Sequence, residues 1–268
     1  MPARLTVAII CIALSTACGG SGGGSATPTA PAPPSGLPPG SACGALGSTP
    51  SLGILNGTPC STDASAVVLL NMRDKDGASV GACSGTVISQ RAILTAAHCV
   101  DEDVRLVRMY LGSGPEIVAE SFTAHPAYRS GGSSTADVAV VIMGQPIGRT
   151  PIPLLLSRDA RVGETAVVAG WGRTLDAVTA TLHAGLTNIT AVGGTLLETQ
   201  FSASVSSVCS GDSGGSILVS EGGAWSITGV TSATSANVCN TGTNFYVAVR
   251  NSSVSSFVVG LVPDAAQR

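Results

Sequence analysis

The stretch Cys209-Ser210-Gly211-Asp212-Ser213-Gly214-Gly215 sets Ser213 among three glycines. Glycine lets a backbone turn sharply and approach a ligand closely, which is the setting of a nucleophile. A serine hydroxyl attacks poorly near neutral pH; it needs a base, a group that orients the base, and amide donors for the oxyanion. Ser213 is therefore a candidate nucleophile whose partners must be found elsewhere. Gly211-x-Ser213-x-Gly215 also fits a nucleophile elbow whose partners follow in the order Ser, acid, His. The histidines are His98, His125 and His183, all upstream of Ser213, which excludes that order.

The base must come from upstream. His98 lies in Thr95-Ala96-Ala97-His98-Cys99, and Asp137 in Ala136-Asp137-Val138-Ala139-Val140-Val141, ahead of an apolar, strand-like run. In this order TAAHC, ADVAVV and CSGDSGG resemble the signature blocks of the trypsin/chymotrypsin family of serine endopeptidases. Gly170-Trp171-Gly172-Arg173-Thr174 is similar to a further family block, and Ile54-Leu55-Asn56-Gly57 to the family's mature amino terminus. The resemblance runs from about Ile54 to Val262.

The resemblance implies a catalytic triad of Ser213, His98 as general base and Asp137 as the group that orients it. It implies an oxyanion hole from the backbone N–H groups of Gly211 and Ser213. It pairs Asp212 with the α-amino group that cleavage between Gly53 and Ile54 would create, although Gly53 departs from the usual basic residue there. His125 and His183 lack such context and are expected on the surface or in loops. Asp101 and Asp103 are nearer to His98 in sequence but read as a solvated acidic loop.

For the disulfides, the resemblance pairs Cys83 with Cys99 and Cys209 with Cys239; by subtraction Cys43 pairs with Cys60. Counting from Ser213 puts Ser207 at the base of the specificity pocket, Val208 beside it and Asn244 opposite, with no carboxylate to bind Arg or Lys. Ser232-Ala233-Thr234 replaces the family's frequent Ser-Trp-Gly. A shallow, elastase-like pocket for Ala or Val follows, with a medium hydrophobic residue as the alternative.

Short β-branched or apolar runs separated by Gly/Ser/Asn/Asp turns predict an all-β chain, with Val254 to Leu261 as the helical stretch. The family implies two six-stranded antiparallel barrels, about residues 54–155 and 156–268, with the site in the cleft between them and a short C-terminal helix. The crossover is expected near Pro151 to Ser157.

With 34 Gly, 15 Pro and 11% charged residues, the chain can bury a large core, and a net charge of -3 offers no basic footprint for nucleic acid. Arg4, the ten mostly apolar residues Leu5 to Leu14 and the small residues before Cys18 read as an export signal over residues 1–17. Ten residues are too few to span a bilayer. Leu14-Ser15-Thr16-Ala17-Cys18 resembles a bacterial lipobox, which would acylate Cys18 and tether the protein to the cell envelope. Ordinary cleavage after Ala17 into a secreted, soluble protein is the alternative. Residues 18–42 are a Gly/Ser- then Pro-rich spacer, and residues 43–53 a possible propeptide.

No C-x-x-C spacing suggests zinc, and no cofactor, metal or calcium loop is expected. The expected partners are protein or peptide substrates, with the chain as a monomer. Two other readings use the same residues: an exported esterase and a non-catalytic binding module on this fold.

Overall fold

The computed structural model describes residues 41–47, 57–101, 103–130, 135–173, 181–202, 204–235, 239 and 241–268. The export signal, Cys18, the spacer as far as residue 40 and the Gly53-Ile54 bond fall outside the described residues. A four-residue helix α1 (Ser41–Gly44) and a two-residue strand β1 (Thr58–Pro59) precede the barrels.

The first barrel is built from β2 (Val67–Arg73), β3 (Ser79–Val87), β4 (Ala92–Thr95), β5 (Leu106–Tyr110), β6 (Ile117–Ala124) and β7 (Ala139–Met143). These strands close in the order β2-β3-β4-β7-β6-β5, every pair antiparallel. In β5 the alternation of Val107 and Met109, fully buried, with half-exposed neighbours is the period-2 signature of a strand with one face in the core. Most of β7 is buried, as its unbroken apolar sequence requires.

The second barrel is built from β8 (Thr165–Gly170), β9 (His183–Val192), β10 (Leu196–Gln200), β11 (Ser216–Glu221), β12 (Ala224–Thr234) and β13 (Thr243–Ala248). They run β9-β10-β13-β12-β11-β8, and a β8–β9 pairing closes the ring. The two six-stranded barrels and the C-terminal helix α2 (Ser252–Leu261) agree with the predicted all-β class. The barrel boundary differs from expectation at one point. β1 lies early in the sequence yet pairs with β9 of the second barrel, Thr58 opposite Ala184.

The chain changes barrels inside one short segment. Ile152 N–H donates to Val87 C=O in the first barrel, while Leu155 N–H donates to Ile227 C=O in the second. Beyond α2 the chain returns to this linker: Leu154 N–H donates to Ala266 C=O, Arg268 N–H to Leu154 C=O, and Ala266 N–H to Ile88 C=O. Asn251 caps α2, its side chain accepting the N–H groups of Ser253 and Val254.

Of the spare histidines, His125 lies in the loop after β6, as expected, and His183 lies in a strand instead. His125 is buried, because α2 covers the end of β6: its Nε2 meets Ser253 Oγ at 3.1 Å and its ring packs edge-on against Phe257. Its Nδ1 accepts the Ala127 N–H. His183 opens β9, half-buried, where desolvation pushes its imidazole down to about 4.

Candidate active site

His98 sits in a 3-10 turn, Ala97–Val100, directly after β4. Its ring Nδ1 lies 2.7 Å from Asp137 Oδ2, and its own backbone N–H donates to Asp137 Oδ1 at 2.9 Å. A carboxylate only accepts, so Nδ1 carries the proton and Nε2 is left with its lone pair. The His98 side chain is 33% exposed and that of Asp137 only 4%, so the base is open to a substrate and its orienting partner is not. Asp137 immediately precedes the buried β7 run, and that strand fixes its depth.

Ser232, which the sequence assigned to substrate binding, donates its hydroxyl to Asp137 Oδ2 at 2.6 Å. Burial alone would push the Asp137 carboxyl up. The hydrogen bonds and charge of His98 and the Ser232 hydroxyl outweigh it and hold the carboxyl below its ordinary value.

Ser213 is brought beside this pair by its backbone. Ser84 N–H, on β3, donates to Ser213 C=O at 2.8 Å, and the adjacent Cys83 is bonded to Cys99, the neighbour of His98. Gly214 N–H donates to Thr231 C=O, next to Ser232. A side chain at Gly214 would put its Cβ 2.1 Å from Thr95 Oγ1, so glycine is what lets the serine loop close on the histidine turn. The Ser213 hydroxyl makes no hydrogen bond among the described residues; in free enzymes such contacts are often long and tighten with substrate.

The peptides around Ser213 are held in a consistent way. Ser210 C=O accepts Arg173 N–H, Asp212 N–H donates to Cys209 C=O, and Asp212 C=O accepts Gly215 N–H. The N–H groups of Gly211 and Ser213 have no acceptor among the described residues. Gly211 needs its positive φ of 95°, and a Cβ there would stand 2.9 Å from Gly172 Cα.

Asp212 points inward. Its carboxylate accepts Gly172 N–H and Cys209 N–H, each at 2.8 Å, yet burial pushes it up to about 6 despite both bonds. Gly170 and Gly172 make room for it: a Cβ on either would come within 2.5 Å of the carboxyl atoms. Ile54, its expected partner, lies outside the described residues.

Of the pocket residues, Ser207 and Asn244 are brought together, the Ser207 hydroxyl meeting Asn244 Oδ1 at 3.3 Å. Asn244 is fully buried and also donates to Thr199, whose hydroxyl meets the Tyr246 phenol. Val208 is buried in the core cluster of the second barrel with Tyr246 and Ile217. Thr234 is exposed at the end of β12, in register with Asn244.

Cys43–Cys60, Cys83–Cys99 and Cys209–Cys239 are each bonded. Cys83, His98 and Cys99 lie close together, but two sulfurs bonded to each other leave one imidazole, which is not a metal-binding set.

The family model described as Trypsin matches residues 54–258. Phenoloxidase-activating factor 3 of Holotrichia diomphalia is 34% identical over 40% of this chain and 39% of its own length. Chymotrypsin-like elastase family member 1 of Bos taurus is 28% identical over 70% of this chain and 82% of its own. This chain spans about two fifths of the length of the first of these relatives. A solved structure titled HL collagenase superposes with a TM-score of 0.67 at 23% identity, covering 78% of this chain and 99% of that one.

Proposed function

This chain belongs to the trypsin family, and from that premise we propose that it is a serine endopeptidase working through an acyl-enzyme on Ser213. The observation that carries the reading is the His98–Asp137 contact at 2.7 Å beside a serine loop in which the Gly211 and Ser213 amides have no acceptor among the described residues. Ser213 Oγ attacks the substrate carbonyl carbon as its proton passes to His98 Nε2. The resulting oxyanion is met by the Gly211 and Ser213 amides. His98 then returns the proton to the leaving amine as the C–N bond breaks, and water repeats the cycle to free the acid.

The test is the intact mass of purified protein before and after a fluorophosphonate probe. One adduct on the wild type and none on Ser213→Ala is expected; no adduct on a folded wild type already cut before Ile54 overturns the proposal in favour of a binding module.

The preference is for small aliphatic residues before the cut bond: the resemblance aligns Ser207 and Asn244 with the specificity pocket, no carboxylate stands there to bind Arg or Lys, and the hydrogen bonds of Asn244 to Ser207 and Thr199 support a small site. Predominant cleavage after Arg or Lys would overturn this. Activation follows from Asp212. A carboxyl that burial pushes to about 6 gains a compensating cation if cleavage before Ile54 releases an α-amino group into the same site. Full activity in protein still intact before Ile54 would remove the switch.

Three disulfides suit an exported protein. Lipidation at Cys18, with the spacer over residues 18–42, places it on the cell envelope as a tethered monomer. Cys18→Ala should move it from the membrane to the soluble fraction, and its staying in the membrane would refute the tether.

A further inference from the structure

The peptide joining Gly211 to Asp212 lies between the two peptides whose N–H groups form the proposed oxyanion hole. Gly211 has no side chain and a positive φ, so nothing intrinsic stops that middle peptide from turning. Its N–H end is fixed, Asp212 N–H donating to Cys209 C=O at 3.0 Å. Its carbonyl end is held from the other barrel: Ser84 Oγ, on β3, donates to Gly211 C=O at 2.8 Å. Among the described residues no other donor reaches that carbonyl.

The Ser84 hydroxyl is fully committed. It accepts the Trp171 N–H at 2.9 Å, so its single proton goes to Gly211. Ser84 itself cannot drift: it is 0% exposed, its N–H holds Ser213 C=O, and its C=O accepts the Thr95 hydroxyl at 2.8 Å, three residues before His98.

We propose that Ser84 is a positioning residue of the oxyanion hole. Its hydroxyl holds the 211–212 carbonyl away from the reacting oxygen and so fixes the angle at which the Gly211 and Ser213 amides converge. A turned peptide would misalign one donor and bring a carbonyl dipole toward the developing charge. Donors stabilise an oxyanion strongly only when they are already in place as the charge forms. The proposal rests on the serine chemistry above.

The test compares wild type, Ser84→Ala, Ser84→Gly and Ser213→Ala, each first cut between Gly53 and Ile54, on a peptide amide with alanine before the cut bond. A peptide aldehyde of the same sequence, which forms a tetrahedral adduct with Ser213, serves as the second probe. Removing a whole donor costs about 10²–10³ in rate, so loosening two should lower kcat roughly 10- to 100-fold with KM nearly unchanged. The aldehyde should weaken by the same factor as kcat/KM. The acid limb of the pH profile should stay in place, since His98 and Asp137 are untouched.

Wild-type kcat in both Ser84 variants overturns the proposal, as does a fall in kcat with aldehyde affinity unmoved, or a shifted acid limb. Should Ser84→Ala melt below the assay temperature, Ser84→Gly, which leaves room for a water beside the carbonyl, decides the matter. A wild type no more active than Ser213→Ala removes the serine reading and this proposal together.

Discussion

Two carboxylates differ in what surrounds them, and each difference can be measured. Asp137 has three donors: the His98 ring, the His98 N–H and the Ser232 hydroxyl. Asp137→Asn keeps the shape but favours the wrong imidazole tautomer, and kcat should fall by about 10⁴ with the fold intact; a loss under about tenfold, read by steady-state kinetics and circular dichroism, would show that Asp137 does not orient His98. Burial pushes the Asp212 carboxyl up to about 6 in the folded chain, from an ordinary value of 3.8. Between those values the folded chain holds a proton that the unfolded chain has released. The group therefore favours folding on the acid side, and its contribution is lost as pH rises from about 4 to about 6. His183 acts oppositely, because a depressed imidazole adds stability as pH rises from about 4 to 6.5. Comparing uncut Ser213→Ala with Ser213→Ala/Asp212→Asn cancels the His183 part. The urea midpoint of the Asn variant should gain on its parent from pH 4 to 6 and level off above; parallel curves would contradict the burial argument. The residues of both carboxylate sites were legible in their motifs. The Ser232 hydroxyl on Asp137 and the Ser84 hydroxyl on Gly211 were not, since each joins positions far apart in sequence.

At the level of strands, the legible segments were those with a buried apolar run. Ala139–Met143 and Ser216–Glu221 announce themselves because most of their residues face the core. Ile117–Ala124 has no fully buried residue, and His183–Val192 carries His, Gly, Thr and Asn along its length. What makes these segments strands is pairing with neighbours that the chain reaches only after folding, so local pattern carries little of it. The contact among the proposed pocket residues is likewise a product of pairing. Register between β10 and β13 sets Thr199 opposite Asn244, and their hydrogen bond fixes the Asn244 amide across from Ser207. Asn244→Gly should deepen the site and raise kcat/KM for phenylalanine over alanine before the cut bond by roughly tenfold, the scale of filling a pocket with a few more carbons. An unchanged ratio in a matched peptide pair would show that the floor lies elsewhere.

For the whole molecule, the two-barrel plan was legible through the order of three motifs, and the joinery was not. Nothing local in the sequence tells that β1 crosses to the second barrel, that α2 buries His125, or that residues 266–268 pair with Leu154 and Ile88. The last of these can be probed directly. Deleting residues 264–268 removes the partners of Leu154, Leu156 and Ser157 and uncovers the site of buried Ala265. Five backbone hydrogen bonds to Ile88, Leu154, Leu156 and Ser157 are lost; at about 1 kcal/mol each, the deletion should lower the unfolding free energy by roughly 3–7 kcal/mol, and an unchanged denaturant midpoint would mean that the barrels hold together without this segment.

That seam also orders events in time. A chain emerges from the ribosome amino end first, and its early parts fold as units. All six strands of the first barrel are complete once residue 143 has been made, but the bonds from Ala266 and Arg268 to the linker must wait for some 120 residues more. The nascent polypeptide carries His98 and Asp137 long before it carries Ser213, and it carries Ser213 before the stitch that binds the halves. The three residues of the proposed triad thus come together only after the residues around 266–268 have been made, and the machinery that makes and moves the chain handles unfinished halves rather than a working blade.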